Sequence, residues 1–253
     1  FMRGLVSVPL LAVIAYFRKS LFIRINWRNW RVILIRAVAE LASTMLFLNA
    51  LAQMPLANVS AILQSLPLTV TMFAAMFFGE AVGWRRWSAI LVGFIGVLII
   101  IRPGSDGFNE YAVLALIAVG FITLRDAITR RLDRSVPSLF VAFISAIPVF
   151  LFGGAMTVTT GWTPVAWSMG IIVTVAAIAI TCGYLFAVMA MRIGDISFVA
   201  PFRYTGMIWA ILFGFLLFGN LPDQMTILGT CIVIGMGVYA FHRERVRQKA
   251  SAT

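Results

Sequence analysis

The chain has 253 residues, 62% of them apolar and 11% charged, with a mean hydropathy of +1.00. Soluble domains run at roughly half apolar and a quarter charged, so the composition excludes an ordinary water-soluble globular fold. A net charge of +11 would suggest nucleic acid in a soluble protein, but here Lys and Arg stand between apolar runs, where membrane orientation explains them and no nucleic-acid partner is expected.

Nine apolar runs follow one another at 2–17, 32–52, 56–78, 87–101, 111–128, 138–157, 165–191, 196–218 and 225–241. Most are long enough for a hydrocarbon core of roughly 30 Å, which takes about 17 to 25 helical residues. The first begins almost at Phe1, with neither an initiator Met nor the small-residue cleavage site of a signal peptide, and predicts a missing upstream piece. The third and eighth contain Pro67 and Pro201, which predict kinks that free a backbone carbonyl. The fourth is the shortest, but Trp84 and Trp87 flank it as interfacial anchors, and Gly93 and Gly96 suit close helix contact. Cys182 and Cys231 fall inside apolar runs without metal-ligand spacing, so they read as small core residues, and no metal or cofactor is expected.

Alternate connections hold Arg18, Lys19, Arg24, Arg28 and Arg31, then Arg85 and Arg86, then Arg125, Arg130, Arg131 and Arg134, then Arg192, and finally Arg243, Arg245, Arg247 and Lys249. The intervening connections hold only Arg102, so sixteen basic residues face one. This bias puts the rich side, and with it the C-terminus, in the cytoplasm.

The segment Asn49–Ala61 lies over Val188–Ala200, Phe77-Phe78-Gly79-Glu80 answers Leu217-Phe218-Gly219-Asn220, and Gly96-Val97 answers Gly237-Val238. The copies start about 140 residues apart and the charge count turns them over relative to each other. Inverted repeats allow alternating access around a midplane site. The expected fold is all-α and integral to the membrane, with two inverted-topology helical repeats and about nine transmembrane helices. The expected divisions are a first repeat at 1–104, a second at 105–242 and a basic tail at 243–253.

The stretch from Pro55-Leu56-Ala57 through Gly79-Glu80, with Trp84-Arg85-Arg86-Trp87, Gly93-Phe94-Ile95-Gly96-Val97 and Arg102-Pro103-Gly104, resembles the first repeat of the EamA-type drug/metabolite transporters. Ala200-Pro201-Phe202-Arg203-Tyr204, Phe218-Gly219 and Gly235-Met236-Gly237-Val238 resemble the second. The resemblance implies a fold of five plus five helices around a central cavity, here without its first helix. It also implies a secondary transporter for a small polar or amphipathic metabolite, amino-acid-, vitamin- or drug-like, in a bacterial inner membrane. A small-molecule substrate and the lipid bilayer are the expected partners, with proton coupling and a homodimer as further expectations.

A charge at the centre of a membrane helix costs roughly 2.5–3.5 kcal/mol, so the polar residues inside the runs need a reason to be there. Glu40 and Arg203 each lie about eight or nine residues from the cytoplasmic start of their runs, and Gln64 is the repeat counterpart of Arg203. All three are expected to line one cavity, with Glu40 as the coupling group and Arg203 as the anchor for an anionic substrate group; the bland alternative is a structural Glu40–Arg203 ion pair. Tyr204, Tyr184 and Trp209 could stack on a planar substrate, and Asn49, Ser65, Thr69 and Thr71 could donate hydrogen bonds to it, although packing and interhelical bonding are the commoner uses. Arg125 and Asp126 are gate candidates, or else an interfacial cluster in which Asp126 pairs with Arg130. A non-transporting membrane scaffold or receptor is the alternative reading. A membrane enzyme fits less well, because His242, the one histidine, stands in the basic tail and the nine Asp and Glu are scattered.

Overall fold

The computed structural model describes residues 1–21, 23–79, 82–103, 109–162, 167–193 and 203–252. Among them every regular element is helical: α1 (Met2–Phe17), α2 (Trp27–Gln53), α3 (Leu56–Leu63), α4 (Leu66–Phe77), α5 (Trp84–Ile101), α6 (Glu110–Thr129), α7 (Ser138–Thr160), α8 (Trp167–Ile193), α9 (Thr205–Phe218) and α10 (Gln224–Ala252). Seven spans are long and apolar enough to cross a membrane, with α3 and α4 together forming one of them, and α1 and α9 are shorter apolar helices. These correspond to the nine apolar runs of the sequence. Large apolar side chains such as Ile171, Ile172 and Val175 on α8 and Ile208 and Leu216 on α9 face outward, as a hydrocarbon solvent requires.

The helices depart from the apolar runs at three places. α2 begins at Trp27 and so takes Arg28 and Arg31 into its first turns. The third run is broken, because Pro67 has no N–H to give to the carbonyl of Leu63; α3 stops there and α4 restarts at Leu66. α10 continues past the apolar stretch through the basic tail. The start of the eighth run, with Pro201, lies outside the described residues. One expectation is corrected: Cys182 and Cys231 are exposed on their helices rather than packed in the core. On a helix that is apolar all round, the sequence pattern does not mark which face is covered.

Two compact units form, the first from residues 1–41 and 128–194, the second from 42–127 and 195–253. Each takes helices from both halves of the chain, so the sequence repeats are not the packing units. In the first, α1 packs on α7 and α8 around Leu11, Ile33, Phe140 and Val188. The start of α2 is tied there by a reciprocal pair: Asn29 Nδ2 donates to Asp133 Oδ2 at 2.7 Å, and the Asp133 N–H donates to Asn29 Oδ1 at 3.3 Å.

In the second unit α10 lies along α5 in the most extensive helix contact among the described residues, and α9 packs on α3. A Cβ on Gly96 would stand 2.8 Å from the Gly229 carbonyl oxygen, and one on Gly229 2.6 Å from that of Gly96. Only small residues let two helix backbones approach so closely. The contact is also reciprocal. A Cβ on Gly96 would also meet Val233, and one on Gly93 would meet Leu68 first and then Met236 at 3.7 Å; Val233 is 140 residues after Gly93, and Met236 is 140 after Gly96. A two-fold relation between repeats produces such matched pairs. Gly79 and Gly219, also 140 residues apart, end α4 and α9 with φ of +67° and +68°, in the left-handed region that glycine adopts at no steric cost. Trp84 is exposed as an anchor should be, whereas Trp87 packs on the core.

Candidate functional site

Glu40 is the central residue of the 27-residue α2, and Arg36 stands one turn before it, where helical geometry brings i and i+4 side chains together. Arg36 is 2% exposed and the Glu40 side chain 13%. Arg36 Nη1 lies 3.6 Å from Glu40 Oε2 and donates to Ser145 Oγ of α7 at 3.5 Å. Tyr184 of α8 donates its hydroxyl to Glu40 Oε2 at 3.0 Å, and the guanidinium carbon of Arg36 lies 5.5 Å from the centre of the Tyr184 ring. Three helices of the first unit thus converge on a cation, a carboxylate, a phenol and a buried hydroxyl at the middle of a span.

The second unit holds another ionic group. Arg203 Nη2 donates to Asp126 Oδ2 at 2.7 Å, while Arg125 Nε and Nη2 lie 3.0 and 2.9 Å from Asp126 Oδ1. Asp126 is buried, with both carboxylate oxygens engaged by cations. Glu40 and Arg203 therefore belong to different units, and each has an oppositely charged neighbour within its own.

The remaining sequence candidates scatter. Gln64 is buried at the break between α3 and α4, beside Ser65, whose hydroxyl donates to the Ile62 carbonyl at 2.7 Å. Thr71 donates to the Pro67 carbonyl at 2.9 Å, and the hydroxyls of Thr69 and Thr123 lie 2.6 Å apart. Asn49 is exposed and donates to the Met45 carbonyl of its own helix at 2.8 Å. Trp209 is exposed and stacks on Phe213. Tyr204 is buried; its hydroxyl has no hydrogen-bond partner among the described residues and occupies the space above Gly237. Sequence reasoning missed Arg36, whose i,i+4 spacing to Glu40 was the available signal, and Ser145, which carries none.

The sequence matches the EamA-like transporter family over residues 1–102 and 110–240. The chain belongs to this family and is a multi-pass membrane protein. It is 24% identical over 192 residues to the S-adenosylmethionine uptake transporter of Rickettsia conorii, covering 76% of this chain and 65% of that protein, just under two thirds of its length. It is 28% identical over 230 residues to the riboflavin transporter of Vibrio cholerae, covering 88% of this chain and 76% of that one. A solved crystal structure aligns with a TM-score of 0.66 at 16% identity, over 95% of this chain and 85% of the other, a likeness of fold alone.

Proposed function

We propose that the protein is a secondary transporter that moves a small polar or amphipathic metabolite across a bacterial inner membrane by alternating access of two inverted repeats, 1–104 and 105–242. The observation that carries this reading is the Arg36–Glu40–Tyr184 group at the centre of a membrane helix. Ionisable side chains at that depth are expensive and mark substrate or proton pathways. Glu40 is the coupling group in this proposal. Arg203, Asp126 and Arg125 form a gate, since Asp126 joins α6 to the residues that open α9. The relatives named for S-adenosylmethionine and riboflavin support a compact organic substrate. The excess of Lys and Arg supports a cytoplasmic tail.

The test is counterflow of a metabolite panel into proteoliposomes loaded with the same unlabelled compounds. Accumulation of at least one compound, lost on Asp126→Asn, is expected. Equal counts in protein-containing and empty liposomes for every compound would favour a scaffold.

A further inference from the structure

The two ionic groups differ in how completely their arginines are used. Arg203 is held by a 2.7 Å bond to an aspartate that Arg125 also engages. Arg36 is more deeply buried, yet its contacts with Ser145 and Glu40 both run through Nη1, at 3.5 and 3.6 Å, the long limit for such interactions. Its buried Nε has no hydrogen-bond partner among the described residues. A guanidinium presents five donors in a rigid fork, and Nε with the neighbouring Nη2 can take a carboxylate or phosphate through two parallel bonds. Leaving a buried donor such as Nε unpaired is costly unless something arrives to meet it.

Building on the transport reading, we infer that Arg36 is the anchor for an oxyanion of the substrate, carboxylate or phosphate, and that Glu40 is the internal counter-ion that the incoming group displaces from the guanidinium. Tyr184 serves both states. Its ring lies over the cation while its hydroxyl holds Glu40, so a substrate whose planar body adjoins its anionic group would meet both the fork and the ring edge. Ser145, fully buried on α7, accepts from Nη1 and leaves Nε without a bond among the described residues.

Melting alone does not separate an anchor from a structural pair, because replacing both partners of a buried pair by neutral isosteres of similar volume is often neutral or stabilising in either case, whereas removing one partner strands the other charge. Full-length protein in dodecyl maltoside is melted as wild type and as the double variant Arg36→Met with Glu40→Gln. The double variant strands neither charge and is expected to fold, so it serves as the folded control for loss of binding. The same samples, with Glu40→Gln and Arg36→Met singly, are titrated with phenylacetate, phenyl phosphate and the neutral control phenylacetamide. At least one anion should raise the melting temperature of wild type, half-saturate Glu40→Gln at about tenfold lower concentration, and leave Arg36→Met unmoved; which anion does so separates carboxylate from phosphate recognition. Equal shifts for the anions and phenylacetamide, shifts that survive Arg36→Met or the double substitution, or no shift with any of the three would each overturn the assignment. Binding in micelles reads the site and counterflow reads transport. Anion binding without counterflow sinks the transporter alone, and counterflow without anion preference sinks the anchor alone.

Discussion

Tyr184 donates to Glu40 through its hydroxyl and faces Arg36 through its ring, and substitutions separate the two roles. Tyr184→Phe removes the hydroxyl's bond to Glu40 and keeps the ring, so it is expected to cost about 0.5–1.5 kcal/mol in thermal or denaturant unfolding. Tyr184→Leu should cost more, because the contact over the guanidinium goes as well. If Glu40 is the coupling group, Glu40→Gln should still exchange substrate in counterflow but lose the dependence of net uptake on an imposed pH gradient. An unchanged gradient dependence would remove Glu40 from the coupling step. At this scale legibility was uneven. Glu40 stood out because a carboxylate within an apolar run needs a partner or a role, whereas Arg36, inside the same run, carried only its i,i+4 spacing to Glu40 as a signal. For Asp126 the spacing suggested a local pair with Arg130, and the described bonds run to Arg125 and Arg203. Its bond to Arg203, 77 residues away, is a matter of tertiary packing that spacing does not encode.

At the scale of elements, glycine decides how close α5 and α10 come. Gly96→Ala or Gly229→Ala would drive a Cβ against a backbone carbonyl, which no rotamer change relieves. Each is expected to destabilise by about 1–3 kcal/mol, with a lowered melting temperature as the readout. The outward-facing Gly170→Ala, with open space around its Cβ, should be neutral or better. Gly93 and Gly96 were read correctly from their spacing, because small residues in a membrane helix have few other uses. The break after Leu63 was legible from Pro67. What was not legible was orientation around each helix, and Cys182 and Cys231 show why: when every face is apolar, the side toward lipid and the side toward protein carry the same residues. Asn29→Ala should also destabilise by about 1–3 kcal/mol, since it removes a buried amide that both gives and accepts a bond with Asp133.

For the whole molecule, composition made the membrane class readable and the internal similarity made the repeats readable, while the alternation of basic residues gives the orientation as an expectation. The two compact units were not, because they depend on which helices touch, and the touching helices come from opposite ends of the chain. A phosphatase fused after Thr253 should be inactive and a fluorescent protein at the same place bright; the reverse would turn the orientation over.

The pairing of repeat-equivalent helices has a consequence for the connection between them. α5 with α10, α1 with α7 and α3 with α9 each join one helix from before residue 104 to one from after it. The peptide link between Arg102 and Asn109 therefore adds continuity to an assembly whose main contacts are already made across the cut. Two half-length polypeptides, 1–103 and 104–253, synthesised together should find each other in the bilayer, and a tag on one should recover both from detergent extract. Such an outcome would picture the protein as an antiparallel pair of sister chains that a fused gene later joined, with the linker supplying equal dosage and local concentration rather than architecture.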